Sequence, residues 1–78
     1  MADDIEMIPV SSDLLASVGF NPETGEGRAT FAKNGKTYSY PNCTQAEFDQ
    51  ILNGAVDGSN GKTFNLLWKY KPGYAQIG

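Results

Sequence analysis

The chain contains no histidine, and that single absence removes much chemistry. A Cys/His zinc site and every histidine-based general base are excluded. One cysteine is present, Cys43, so no intrachain disulfide can form, and a lone thiol points to a reducing compartment. No apolar run approaches the length of a membrane span, so a membrane is not expected as a partner. The first 26 residues hold no lysine or arginine, and Asp3, Asp4 and Glu6 stand where a secretory signal would carry positive charge. Export is therefore not expected, and a cytoplasmic location is. Little length is available either. Seventy-eight residues make one domain with a small core. A shallow surface site, or one completed by a second copy in a homo-oligomer, is more realistic than a deep enclosed one.

What charge there is lies unevenly. The net charge is −3, which argues against nucleic acid as a partner until the distribution is considered. Residues 1–26 carry six acids and no base, a local charge of −6; residues 27–78 carry six bases and three acids, a local charge of +3. An acidic protein built this way can still present a basic patch.

Residues 1–8 read as a flexible acidic lead-in, ended by Pro9, and residues 9–78 as one domain. From Leu14 to Phe20 apolar and small residues alternate, with Leu14, Ala16, Val18 and Phe20 on one face, which predicts a strand. A turn follows at Asn21-Pro22-Glu23-Thr24-Gly25-Glu26-Gly27. A second strand runs from Arg28 to Ala32, a hairpin turn is signalled by Asn34-Gly35, and a third strand is Thr37-Tyr38-Ser39-Tyr40. Pro41 stops the sheet. Thr44 and Glu47 have capping-box spacing, and Phe48, Ile51, Leu52 and Ala55 follow helical periodicity. Gly54 or Gly58 ends that helix. Lys62 to Tyr70 reads as a second helix, with a buried strand as the alternative, and the residues after Pro72-Gly73 as a tail. The expected fold is α+β: a three-stranded antiparallel meander followed by two helices packed on one face.

Two constellations are candidate sites. Tyr38 and Tyr40 lie two apart on a strand, so both rings share a face. They are either the aromatic floor of the core or a stacking surface for a base, with Arg28, Lys33 and Lys36 to hold phosphate. On the last helix Lys62, Asn65 and Lys69 share a side next to Trp68, with Lys71 just beyond as a further candidate, beside a helix N-terminus that favours anions; the plain alternative is a solvated face. Catalysis has little to stand on. Ser11, Ser12 and Cys43 lack a histidine partner, although Cys43 precedes a helix start, where a thiol pKa can fall. No cofactor or metal is called for, and the chain is not expected to be an enzyme.

The order of these motifs resembles the KTSC family, short domains named for a carboxy-terminal extension of some lysyl-tRNA synthetases and also found as free-standing proteins of bacteria and bacteriophages. Val10-Ser11-Ser12, Gly19-Phe20 before the Asn21–Thr24 turn, Tyr38-Ser39-Tyr40 and Gly61-Lys62-Thr63-Phe64-Asn65 carry the resemblance, which covers residues 8–77. The pattern departs at its end: Trp68 and Lys69 stand where the family has Ile-Arg, and Tyr70 and Tyr74 flank the place of its late tyrosine. The resemblance implies a binding module with RNA as a suggested ligand. Together these readings predict a small non-catalytic module for a phosphate-bearing ligand: RNA, single-stranded DNA or a nucleotide. The alternative is a protein-interaction module, such as a phage-encoded inhibitor that covers a host or phage protein.

Overall fold

The alternation that marks the tyrosine strand extends into a sheet of five antiparallel strands, and two helices cover its apolar side. The computed structural model describes residues 5–78, so Asp3 and Asp4 of the expected lead-in lie outside the described residues. In chain order the elements are β1 (Ile8–Pro9), β2 (Leu15–Asn21), β3 (Glu26–Phe31), β4 (Thr37–Tyr40), α1 (Gln45–Asn53), α2 (Asn60–Leu67) and β5 (Ala75–Gln76). The strands lie in sequence order across the sheet.

The fold is α+β as expected, but the sheet is wider than a three-stranded meander. Ile8 pairs with Val18 and Pro9 with Ser17 at one edge, where only the lead-in and its end were expected. Ala75 pairs with Ser39 and Gln76 with Tyr38 at the other, where a tail was expected. A two-residue strand has no alternation to read. Proline is tolerated at such an edge because one side of the strand needs no ladder hydrogen bond.

The first long strand also differs in phase. A register shift between Leu15 and Ser17 interrupts the simple alternation, as a bulge does. Leu15 and Val18 are both fully buried while Ala16 is exposed. Ser12 prepares this start, its hydroxyl accepting the Leu14 and Leu15 N–H groups at 3.2 and 3.3 Å.

The hairpin between β3 and β4 turns over residues 32–35. The Gly35 N–H donates to the Phe31 carbonyl at 2.9 Å, and the Phe31 N–H donates to the Lys36 carbonyl at 2.9 Å. Only Gly35 takes a positive φ there, 71°, so the glycine of the Asn-Gly pair is what the turn requires.

The helices follow their caps. Thr44 and Glu47 form the reciprocal capping box, and Gly54 closes α1 in the left-handed conformation at φ 62°. Residues 60–67 are helix, not strand, and α2 begins earlier than Lys62 because the Ser59 hydroxyl accepts the Lys62 N–H at 3.1 Å. Phe48 and Ile51 from α1, with Phe64 and the following Trp68 from α2, meet Leu15, Val18, Ala29 and Tyr40 from the sheet in one core. Phe48 stacks on Trp68 at 6.2 Å, and Phe64 meets Tyr40 edge-on at 5.4 Å. No helix among the described residues is long and apolar enough to cross a membrane.

Candidate functional site

Strand register puts the two tyrosines of β4 on one face, and burial divides them between different environments. Tyr38 lies across from Ala29 and Tyr40 across from Gly27, so both rings face the helices. Tyr40 is only 2% exposed. Its ring is enclosed by Phe64, by Trp68 at 6.1 Å and by Tyr74 at 6.0 Å with an interplanar angle of 23°. Burial pushes its phenol well above the ordinary tyrosine range. Tyr38 is half-buried. Its ring meets the edge of Phe31 at 5.5 Å and tilts against Tyr74 at 6.2 Å. Its hydroxyl donates a weak bond to Gln76 Oε1 at 3.4 Å.

Tyr38 and Tyr40 form the floor of an open cleft of about 390 Å³. One wall is Phe31. The other is the irregular segment 69–74, which contributes Lys69, Tyr70, Lys71, Pro72 and Tyr74. Tyr70 and Tyr74 are 79% and 54% exposed, and the Lys69 ammonium stands 5.6 Å from the centre of the Tyr70 ring. The cleft is thus aromatic on its floor and both walls and cationic at one lip. Tyr70 and Tyr74 were not among the expected ligand-binding residues. The signal that could have found them was in the chain, two aromatics around Pro72-Gly73, but in sequence Tyr70 reads as the end of the second helix and Tyr74 as part of a tail, and neither reading gives a reason to place them against β4.

The other expected site residues separate. Arg28 does not join the tyrosines. It lies one residue out of phase with Ala29, opposite Ser39, and therefore projects from the other face of the sheet. There its Nε donates to Glu26 Oε2 at 2.7 Å, and the Ser39 hydroxyl donates to the same oxygen at 2.7 Å. Lys33 and Lys36 are exposed on the hairpin that leads into β4. Lys62 and Asn65 line a second, larger cleft of about 630 Å³ with Ser11, Ser12 and Ser59. Lys62 is exposed there and pairs with Asp57 at 3.4 Å, while the Asn65 Oδ1 atom is buried without a hydrogen-bond partner. Of the helix-side trio, then, only Lys69 reaches the tyrosine cleft.

Cys43 is buried, its thiol donating to the Tyr40 carbonyl at 3.4 Å. The helix start does not activate it. Desolvation outweighs the nearby Lys71 charge and pushes the thiol up to about 11. Among the described residues no three or more Cys, Asp or Glu side chains gather as a metal site would require.

The architecture coincides with that of a crystallised protein. The crystal structure of a KTSC domain protein from Yersinia pestis superimposes with a TM-score of 0.82 at 28% sequence identity, covering 96% of this chain and 100% of the other. No family model matches the sequence, and no curated protein matches it. The correspondence runs over nearly all of both chains, and together with the order of the serine-pair, Gly-Phe, Tyr-Ser-Tyr and Gly-Lys-Thr-Phe-Asn motifs in this sequence it supports a KTSC-family domain.

Proposed function

We propose that this KTSC domain is a non-catalytic binding module for a phosphate-bearing aromatic ligand, a nucleotide or a segment of single-stranded nucleic acid, taken up in the Tyr38 cleft. The observation that carries this reading is the meeting of half-buried Tyr38 with exposed Tyr70 and Tyr74 beside the exposed Lys69. A base stacked on such a ring gains about 1–3 kcal/mol. Lys69 supplies the charge at one lip, and Lys33 and Lys36 sit on the hairpin that enters β4. The half-buried ring holds its orientation by packing against Phe31, so little side-chain entropy is lost on stacking. The setting this implies is cytoplasmic, in a bacterium or in a phage-infected cell.

The test is anisotropy with fluorescein-labelled oligo(U) and oligo(dT) at low salt, joined to a thermal-shift panel of mono-, di- and cyclic nucleotides. Binding that weakens steeply with salt supports a nucleic-acid ligand. A shift confined to the panel supports a small nucleotide. Silence in both arms rejects the reading and favours the second one: a protein-interaction module, for which the exposed Leu66, Tyr70, Tyr74 and Ile77 provide the apolar surface.

A further inference from the structure

Nearly the whole of one cleft wall comes from residues 69–74, and these have no helix or strand of their own. Tyr70, Pro72, Gly73 and Tyr74 are all exposed; Tyr74 keeps its ring contacts with Tyr38 and Tyr40, and burial does little to hold the rest. Among the described residues one side chain of this segment makes a hydrogen bond or ion pair, Lys71. Its ammonium donates to the Asn42 carbonyl at 2.9 Å and lies 3.4 Å from Glu47 Oε1. Lys71 is 18% exposed and Glu47 23%, half-buried for groups of this type. The acceptors are themselves fixed. Glu47 Oε1 also takes the Thr44 N–H at 3.1 Å in the capping box of α1. Asn42 holds a left-handed backbone at φ 57°, a conformation asparagine tolerates better than most residues. Lys69, two residues earlier, is exposed and has no such tie; its ammonium rests near Tyr70.

We propose that the two lysines of this wall have different tasks: Lys71 is a positioning residue that clamps the 69–74 wall to the start of α1 through Asn42 and Glu47, and Lys69 is the cation that meets the ligand's phosphate. This rests on the reading of the cleft as a phosphate-ligand site, and it assigns a role to Glu47, an acid remote from the tyrosines. An ammonium already satisfied by a carboxylate and a carbonyl has little left for a phosphate. The same contacts join the wall to a capped helix start.

Glu47 makes the proposal testable by sign. If Lys71 acted only through its charge, Glu47→Gln would remove a nearby negative charge and strengthen binding of an anionic probe. As half of a clamp, Glu47→Gln weakens it, while the glutamine oxygen can still accept the Thr44 N–H. Anisotropy would be measured with labelled oligo(U) across a salt series for wild type, Lys69→Met, Lys71→Met and Glu47→Gln. Lys69→Met is expected to lower the slope of log affinity against log salt by about one contact. Lys71→Met and Glu47→Gln are expected to lose affinity severalfold with the wild-type slope. Tighter binding by Glu47→Gln, or a reduced slope for Lys71→Met, overturns the division of tasks.

A second readout needs no ligand. The ring resonances of Tyr70 and Tyr74 in two-dimensional NMR are expected to shift in both clamp variants and to stay in place in the exposed control Lys33→Met. If wild type binds no probe, the functional reading has failed, and this arm still decides the clamp: unmoved Tyr70 and Tyr74 signals overturn it.

Discussion

Trp68 occupies the space that a side chain at position 27 would need. A β-carbon on Gly27 would stand 2.6 Å from Trp68 Cη2 and 2.8 Å from Cys43 Sγ. Both neighbours are buried in the core, so neither is a flexible end that can swing away. The glycine is thus demanded by size, since its backbone lies in β3 without a positive φ. Gly27→Ala is expected to destabilise the domain by about 1–3 kcal/mol, the usual cost of overpacking. Urea unfolding of the pure protein measures it, and an unchanged midpoint would show that the indole has room to move.

The division between Tyr40 and Tyr38 predicts two different mutational profiles. Removing the Tyr40 ring opens a cavity among Phe64, Trp68 and Tyr74, and Tyr40→Ala is expected to cost about 3–5 kcal/mol, as large aromatic truncations do. A domain this small has only a modest total stability, so Tyr40→Ala should be largely unfolded by circular dichroism. Tyr38→Phe gives up only the 3.4 Å bond to Gln76 and should melt near wild type. Tyr38→Ala should remain folded yet lose nucleotide or oligo(U) binding. Equal destabilisation by the two alanine variants would make Tyr38 a core residue and move the site elsewhere.

These residues also show what could be read from the chain and what could not. Period-two alternation placed Tyr38 and Tyr40 on one face, and both do face the helices. Cap chemistry located α1 from Thr44 and Glu47 because the signal is local and strong. Alternation alone could not reveal the shift between Leu15 and Ser17 that brings Leu15 inward, because a bulge leaves no mark in composition. Nor could it reveal β5, whose two residues are held by pairing with β4 more than by any preference of their own. Basic residues near the tyrosines in sequence invited a patch, yet Arg28 falls on the opposite face by a single residue of phase. The side-chain tie between the helices was equally silent. Asn60 donates to the Ile51 and Leu52 carbonyls at 2.6 and 3.1 Å, satisfying groups at the end of α1 from the first residue of α2.

Cys43 predicts behaviour at alkaline pH. Its thiol is pushed from an ordinary value of 9.0 up to about 11, chiefly by desolvation. The folded state therefore holds its proton more tightly than the unfolded chain does. The stability linked to this group is fully present below 9.0 and is lost as pH rises from there through about 11. Buried Tyr40, raised in the same direction from an ordinary 10.0, adds to the loss above that value. Wild type should also react slowly with iodoacetamide at mildly alkaline pH until urea unfolds it. Cys43→Ala is expected to flatten the first part of the alkaline decline in urea midpoint. A decline of wild-type steepness in that variant would assign it to other groups.

Glu26 predicts the acid limb. One carboxylate oxygen accepts both the Arg28 guanidinium and the Ser39 hydroxyl, each at 2.7 Å, and so joins β3 to β4 on the face away from the helices. The Arg28 hydrogen bond is the main reason its pKa lies below the ordinary 4.5, with burial opposing and Ser39 assisting. A depressed carboxyl pKa means that the unfolded chain takes up the proton first. The associated stability is present above 4.5 and is lost as pH falls through the folded value. The pair is partly exposed, at 22% for Arg28 and 26% for Glu26, so salt should reduce the effect without abolishing it. Glu26→Gln is expected to be less stable than wild type at neutral pH and to approach it as the medium is acidified, because the wild type alone has this charge to lose. Ser39→Ala should give a smaller change of the same sign. Urea midpoints for the three proteins across the acid range measure it, and parallel acid limbs for wild type and Glu26→Gln would show that the bridge adds nothing to the fold.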